Sequence, residues 1–352
     1  MASWGEPAYR AKQVVEWAYQ RRAKDYDAMT NLSVGLRGKL AEWKALHTME
    51  ISQVQGSRDT TQKFLFRLHD RRYVESVFIR ANVSEDGERA DRRTLCVSSQ
   101  VGCAYDCKFC ASGLAGFTRN LRTDEIIEQV IQVERHSQQR VDNIVFMGMG
   151  EPLANLTNLL KALTILQAPW GIGIGARHMT VSTSGLAPQI KKLADAPVPV
   201  RLAISLHGAT DDVRDQIMPV NKKYPLDVLF DALTYFRDRR KQKISFEYIL
   251  IEGVNDGLDQ ARVLARRARG LSAKINLIPY NTVEGLPWKR PAVDQQIAFC
   301  DILNQAGVTA TIRNEKGHDI DAACGQLRLR QELEDGTIIM ASPRERSQAV
   351  AE

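Results

Sequence analysis

The chain has 352 residues and a formal net charge of +6, and this length leaves room for one large α/β domain and a small appendage. No apolar run approaches the ~18 residues that cross a membrane. The chain also starts without an apolar export segment, so we expect a cytoplasmic protein that binds no membrane. Six cysteines in an intracellular chain of this length argue against a disulfide framework and favour a metal site or catalysis. The basic charge permits a nucleic-acid partner without requiring one.

The amino-terminal part predicts two helices followed by a β-hairpin. Residues 8–22 and 31–47 each carry one apolar stripe at helical spacing. Residues 62–68 and 73–80 have the composition of two strands, and the turn "HDRR" joins them. This region is too small for the main core, so we expect it to extend a larger domain that follows.

Beyond the hairpin, strands and helices alternate. Apolar runs typical of strands lie at 93–98, 143–148, 178–183, 200–206, 244–251 and 274–279. Helical patterns lie between them, for example at 124–136 (with Thr123 as N-cap), 226–240 and 257–268. Six such units predict a parallel sheet with crossover helices. The expected parts are a helical domain (1–50), a hairpin extension (51–90), the α/β domain (91–327) and a loosely held charged tail (328–352).

The positions of the polar motifs distinguish an open sheet from a barrel. Each suggestive stretch follows a predicted strand: the cysteine loop 103–110, "GMGEP" (148–152), "STSG" (182–185), "SLH" (205–207), "EGVND" (252–256) and "PYN" (279–281). An open sheet binds its ligand at one switch point and uses fewer strands. Polar groups at all six strand ends are typical of a TIM-type active-site face. We therefore predict a partial (β/α)6 barrel.

Four of the six cysteines lie within residues 96–112, and three of them have the spacing C-x3-C-x2-C. Structural zinc usually takes paired C-x2-C knuckles in a closed tetrahedral site, and no second knuckle is present. Three thiolates from one loop suit a [4Fe–4S] cluster whose fourth iron stays open to a ligand. The loop contributes Cys103, Cys107 and Cys110, whereas Cys96 lies in the preceding strand. Cys300 falls on a helical apolar stripe and is assigned to the core.

This cysteine spacing after a first strand resembles that of the radical S-adenosylmethionine (radical SAM) superfamily. The stretches "LCVSSQVGCAYDCKFCASGLAGFTRNLRTDEI", "MGMGEPLAN", "STSG", "SLH" and "HDIDAACGQL" resemble the RlmN/Cfr family of radical SAM RNA methyltransferases. That family methylates an adenine of 23S ribosomal RNA. The resemblance runs from about residue 6 to 327 and implies that the amino-terminal helical domain binds RNA.

The resemblance implies that Cys103, Cys107 and Cys110 hold the [4Fe–4S] cluster, whose open iron chelates S-adenosylmethionine. Positions that match the cofactor-binding residues of the family are Gly150, Glu151, Ser182, Ser205, Leu206, His207 and Asn281. Taken singly, each has a plainer interpretation. Ser182 could satisfy a strand end, Glu151 could cap a helix, and His207 could be an ordinary loop histidine.

The resemblance also assigns the chemistry on the base. Cys324 matches the cysteine that one S-adenosylmethionine methylates, and a second S-adenosylmethionine supplies the radical that activates this methyl group. Cys96 matches the cysteine that releases the RNA adduct by a transient disulfide with Cys324. Glu75 matches the proton acceptor. It shares one face of strand 73–80 with Tyr73, Val77 and Ile79, and a charge on an edge strand is its plainer interpretation.

The motifs "GMGEP" and "STSG" resemble the branch of the family that methylates C2 of adenine 2503, and in some members also adenosine 37 of certain transfer RNAs. The C8-methylating branch of antibiotic resistance uses the same cysteines and is the alternative. Further expected partners are an electron donor such as flavodoxin and a disulfide reductant, and we expect a monomer. Two rivals fit the residues less well. One is a metal-stabilised RNA-binding protein without activity, and the other is a methylthiolating enzyme, which would need a second cysteine triplet.

Overall fold

The computed structural model of the protein describes residues 1–57, 61–80, 92–114, 116–281, 286–313 and 326–336. Its strands are β1 (Met49–Gly56), β2 (Gln62–Leu68), β3 (Tyr73–Arg80), β4 (Arg93–Cys96), β5 (Gln100–Gly102), β6 (Phe117–Asn120), β7 (Asn143–Phe146), β8 (Met179–Thr183), β9 (Arg201–Ser205), β10 (Ile244–Leu250), β11 (Lys274–Pro279) and β12 (Ala310–Ile312). Its α-helices are α1 (Ala8–Tyr19), α2 (Val34–Trp43), α3 (Ala111–Leu114), α4 (Thr123–Ser137), α5 (Leu156–Gln167), α6 (Ala187–Asp195), α7 (Asp211–Ile217), α8 (Leu226–Arg240), α9 (Leu258–Leu271), α10 (Val293–Gln305) and α11 (Gln326–Glu334). Among the described residues, none of the helices is both long enough and apolar enough to span a membrane.

Ten strands form one sheet in the order β1-β2-β3-β4-β7-β8-β9-β10-β11-β12. From β4 to β12 all neighbours run parallel, whereas β1, β2 and β3 add to β4 as an antiparallel extension. No pairing between β1 and β12 closes the sheet within the described residues. The predicted partial barrel is confirmed, with all six expected parallel strands.

Four strands were not expected from the sequence: β5 and β6, which pair with each other on either side of the cysteine loop, and β1 and β12. β12 is a seventh parallel strand of only three residues, which pairs with β11. β1 pairs with β2, and a register shift between Ile51 and Gln53 interrupts its alternation. A bulge of this kind places two residues opposite one, so the period of two is lost at the position where a sequence pattern would reveal it.

The helices pack the outer face of the parallel strands. Helix α4 illustrates how the sequence sets their limits. Its N-cap is Arg122, not Thr123 as expected, because the side chain of Glu125 accepts the Arg122 N–H at 2.8 Å. The apolar residues Ile126 and Val130 of α4 are fully buried in the main core.

The amino-terminal helices form a separate small core. Met29, Leu32, Leu36 and Leu40 are buried together, and Ser33 caps α2 by accepting the Leu36 N–H at 3.2 Å. Polar contacts join this unit to α4 of the barrel: Arg22 Nε lies 2.5 Å from Glu134 Oε2, and the Thr48 N–H donates to Glu128 at 2.9 Å.

Only the first part of the expected loose tail (328–352) is described, and it is helical; residues 337–352 lie outside the described residues. Residues 326–334 form helix α11, and its Leu327 is buried against Leu65 and Tyr73. Arg328 and Glu332 are almost fully buried and form an ion pair at 2.8 Å. Because these charges pair with each other instead of facing water, the segment packs on the sheet without the apolar stripe that predicts a helix.

Candidate active site

The cysteine loop runs from β5 to β6, and two glycines close it. Gly102 has φ of +77°, and a Cβ there would lie 1.8 Å from the Gly116 oxygen. Only glycine permits this approach, and the Cys103 N–H can then donate to that oxygen at 3.0 Å. The Lys108 N–H donates to the Ile217 oxygen at 2.9 Å, which anchors the loop to the end of α7. The three cysteines are thus held on one short, anchored loop.

Cys103, Cys107 and Cys110 all line a cavity of about 440 Å³ at the carboxyl ends of the barrel strands. Burial raises the pKa of Cys103 to about 12 and that of Cys107 well above its ordinary value, and nearby thiols add to both shifts. Three thiolates on one short loop need a strongly cationic partner. Iron that bonds directly to the sulfurs supplies it, because a coordinating thiol is deprotonated outright.

The donor set of the loop therefore fits a [4Fe–4S] cluster. Among the described residues, no group of three His, Cys, Asp or Glu side chains converges closely enough to bind a single metal ion. Such convergence is what a structural zinc site requires.

The turn after β7 carries "GMGEP" and approaches the cysteine loop closely. Gly150 has φ of +93°, and a Cβ there would lie 2.4 Å from Gln100 Cβ. Gln100 Oε1 in turn accepts the Glu151 N–H at 2.8 Å. The Glu151 carboxylate accepts the N–H groups of Leu153 (3.0 Å) and Ser184 (2.7 Å). Burial raises the pKa of Glu151, and these two bonds oppose that shift.

Glu151 thus serves as the cap that the plainer interpretation foresaw, at the start of the short 3-10 helix Pro152–Asn155. It also lines the cavity beside the three cysteines. A buried carboxylate at this wall suits a cationic ammonium group of a ligand.

Ser182 and Ser205 end neighbouring strands, and their hydroxyl oxygens lie 3.5 Å apart. His207 has φ of +55°, and its Nδ1 accepts the Ile249 N–H at 3.0 Å. Burial, together with the charge of Arg214, lowers the pKa of His207 to about 3. The ring is therefore neutral and carries its proton on Nε2. These three residues line the cavity and offer hydroxyl and imidazole groups to a ligand.

Two predicted cofactor residues are not among those that line the cavity. Leu206 is fully buried, and its oxygen accepts a bond from Arg214 Nε at 3.0 Å. Asn281 follows β11, and its Oδ1 accepts from Arg290 Nη2 at 2.6 Å. Their roles remain predictions.

Cys96 is the last residue of β4 and lines the same cavity as the three loop cysteines. Burial raises the pKa of Cys96 to about 11, whereas the charges of Arg313 and Lys63 act in the opposite direction. The sequence left open whether this side chain reaches the loop region, and the structure brings all four sulfurs to one cavity. Cys300, in contrast, is buried on α10, as predicted.

Glu75 is fully buried on β3, which pairs with β2 and β4 and is therefore not an edge strand. Its carboxylate lies 2.9 Å from Lys63 Nζ and accepts the Arg328 N–H at 2.6 Å. Cys324 lies outside the described residues. On one side of the segment that contains it, Arg313 lines the cavity; on the other, Arg328 contacts Glu75.

The sequence did not reveal two buried cations of the site, Lys63, which pairs with Glu75, and Arg214, which joins two strand-end loops. Lys63 is the one charge in "QKFLF", and this pattern does not show which residue it faces. Arg214 is also fully buried. It donates to the oxygens of Leu206 and Ser184, and so ties two strand-end loops together. Nothing in the sequence around Arg214 marks it, because its partners lie on other loops.

A partial barrel with a three-cysteine loop after its first parallel strand defines the class of radical SAM enzymes, and residues 97–262 match the radical SAM superfamily. Residues 1–46 match the ribosomal RNA large subunit methyltransferase N-terminal domain. A probable dual-specificity RNA methyltransferase RlmN of Akkermansia muciniphila is 55% identical over 330 residues, which cover 94% of this chain and 92% of the relative. The corresponding protein of Campylobacter fetus is 44% identical over 342 residues, which cover 95% and 97%.

The crystal structure of a radical SAM methyltransferase from Sphaerobacter thermophilus superposes with a TM-score of 0.86 at 42% identity. The match covers 92% of this chain and 94% of that one. The chain belongs to the RlmN family of radical SAM RNA methyltransferases. Its cofactors are a [4Fe–4S] cluster and S-adenosylmethionine. The zinc interpretation and the non-catalytic RNA-binding protein are therefore wrong.

Proposed function

We propose that this protein methylates C2 of adenine 2503 in 23S ribosomal RNA, through a methylated cysteine and a covalent RNA adduct that a second cysteine resolves. The observation that carries the proposal is the position of Cys96, which faces the cavity of the cluster cysteines from a strand. The match of residues 1–46 to an rRNA methyltransferase domain supports the choice of RNA. The same reaction on certain transfer RNAs is part of the proposal, as the words "dual-specificity" in the relatives' names suggest.

The cavity supplies complementary groups for the cofactor. When bound, the cluster delivers the electron that cleaves S-adenosylmethionine to methionine and a 5′-deoxyadenosyl radical. Cys103, Cys107 and Cys110 would hold the cluster. Glu151 would bind the methionine ammonium group, and Ser182, Ser205 and the Nε2–H of His207 would orient the nucleoside part.

Cys324 would be the first acceptor of the methyl group. Its thiolate attacks the methyl carbon of S-adenosylmethionine, so that a carbon–sulfur bond forms and S-adenosylhomocysteine leaves. A second S-adenosylmethionine then activates the methyl thioether, so that two are used per turnover.

Glu75 and Cys96 would complete the reaction. Glu75 accepts the proton that leaves the substituted ring carbon, and Lys63, 2.9 Å away, holds this carboxylate in place. The Cys96 thiolate then attacks the sulfur of Cys324. A disulfide would form, and the bond from that sulfur to the methylene carbon would break with its electron pair on carbon; this carbon then takes up a proton from solvent and becomes the methyl group on the base. A disulfide reductant, and an electron donor such as flavodoxin, are needed for the next turnover.

Nucleoside analysis tests the proposal. The reconstituted protein is incubated anaerobically with S-adenosylmethionine, a reductant and unmodified 23S rRNA, which is then digested and analysed by mass spectrometry. We expect 2-methyladenosine from the wild type and none from Cys324→Ala. 8-Methyladenosine alone would assign the protein to the C8-methylating alternative, and unmodified adenosine would refute the proposal.

A further inference from the structure

The barrel contains a second cavity, of about 570 Å³, at the amino ends of its strands. Residues at or near the start of successive strands line it, among them Thr94, Asn143, Thr180 and Arg201. Ile79, Val145, Met147, Glu247 and Arg313 line both this cavity and the one that contains the cysteines. The two cavities are therefore opposite ends of one lumen, and the cluster loop lies at the far end.

The rim of the second cavity is strongly cationic. It carries Arg80, Arg92, Arg201, Lys243, Lys274 and Arg313. Glu247 is the one carboxylate among the described residues that line it. Arginine and lysine contact phosphates without reading the base. The rim thus has the charge of a phosphate-binding surface, whereas the lumen behind it is large enough to admit a base.

Glu247 lies where the two cavities meet. It is centred on β10, paired with Ser205 of β9 and Asn276 of β11, and its side chain is 5% exposed. Oε1 accepts bonds from Asn276 Nδ2 (2.8 Å) and Ser245 Oγ (3.2 Å).

The other oxygen, Oε2, is buried and has no hydrogen-bond partner within the described part of the chain. Its nearest cation is Arg313 Nη1, at 3.9 Å. A buried carboxylate oxygen without a donor is costly. The lumen is therefore missing a donor at this point.

We propose that Glu247 recognises the exocyclic amine of an adenine that enters the lumen from the cationic rim. This inference rests on the proposed function and adds the residue that selects the base. An enzyme that modifies a ring atom must take the base out of its stack, and no described residue fills the lumen end opposite the cluster. The amine of adenine is a donor, whereas guanine presents an acceptor oxygen at the same position, which a carboxylate would repel.

The test uses two RNA stem-loops that copy the 23S rRNA segment around the target adenine. One contains the adenine, and the other has purine riboside in its place, which lacks only the amine. Binding to the anaerobically reconstituted protein is measured by fluorescence anisotropy. We expect the wild type to bind the adenine loop roughly tenfold more tightly, as a hydrogen bond to a charged group would predict. In Glu247→Ala we expect equal affinities for the two loops, at the level of the wild type with the purine loop.

Arg201→Gln is the matched control at the rim. We expect it to weaken both loops to the same extent and to reduce the salt dependence of binding, because it removes a phosphate contact and no base contact. Iron content of both variants reports whether the barrel has folded. A loss that is confined to the adenine loop cannot come from general damage to the fold, which would affect both RNAs.

Two results would overturn the inference. One is a wild type that binds both loops equally. The other is a Glu247→Ala variant that keeps the preference for adenine; weaker binding of S-adenosylmethionine in that variant would assign Glu247 to the cofactor's ribose instead. Failure of the proposed function looks different, since the wild type would then yield no methylated adenosine from any RNA, whatever its binding.

Discussion

Replacing Lys63 by methionine should destabilise the protein strongly. The Lys63 ammonium is fully buried and lies 2.9 Å from the Glu75 carboxylate, which is also fully buried. Methionine fills much of the same volume but removes the cation that lies 2.9 Å from the carboxylate. Removing one partner of a buried ion pair typically costs about 3–5 kcal/mol, because the remaining charge stays desolvated. The Arg328 N–H still donates to Glu75 at 2.6 Å, so we expect the lower half of that range.

Urea denaturation of the anaerobically reconstituted protein measures this loss. The double variant Lys63→Met/Glu75→Gln is the informative control, because it removes both charges and keeps an acceptor for the Arg328 N–H. We expect the double variant to recover most of the lost free energy of unfolding, so that the two substitutions are strongly non-additive. If Lys63→Met unfolds at the same urea concentration as the wild type, or if the double variant is no more stable than the single one, the pair does not stabilise the fold as argued.

Three further outcomes follow from the geometry of the site. Gly150→Ala should lower the free energy of unfolding by about 1–3 kcal/mol from backbone strain alone. It should also weaken binding of S-adenosylmethionine, since its Cβ would lie 2.4 Å from Gln100 Cβ. The control is Gly38→Ala in helix α2, where a Cβ would meet no atom within 4 Å; it should be neutral or stabilising by urea denaturation. Cys96→Ala should keep its iron and accumulate RNA joined to Cys324, visible as a nuclease-sensitive shift on a denaturing gel, and a variant that turns over freely would contradict the resolving role. The release of RNA from the adduct should accelerate with pH. The reason is that the pKa of Cys96 is raised to about 11, and below that value its thiolate fraction grows roughly tenfold per pH unit. A release rate that stays constant between pH 7 and 9 in single-turnover experiments would exclude Cys96 as the attacking group.

Local pattern was sufficient for most of the fold. Strands β2, β3 and β11 and helix α8 have the limits that the sequence predicts, because each is bounded by turn residues and has a clear apolar period. Strand β12 escapes prediction because three residues carry no period. Helix α11 escapes because its burial depends on an Arg328–Glu332 ion pair, and such a pair looks like an exposed charged segment in the sequence.

In the candidate site, too, some residues could be predicted from the sequence and others could not. The cysteine triplet and the strand-end motifs could be found in the sequence, since each is contiguous and the parallel order brings strand ends to one face. Glu247 and Lys63 could not be found. Each lies within an apolar strand, and its meaning depends on residues that other strands place opposite it. A single charge in a strand has the same local pattern whether it faces water, a buried partner or a lumen.

The strand position of Cys96 separates it from the three cysteines of the loop. Its backbone pairs with Val77 on one side and Val145 on the other, so its sulfur cannot move towards the loop without disrupting the sheet. The three other cysteines lie outside the strands, on the anchored loop between β5 and β6. Of the four cysteines that line one cavity, three therefore lie on the loop that would hold iron, and Cys96 lies on a strand beside the lumen. Under the proposed function, Cys96 is therefore the member of the disulfide pair that a strand holds in place.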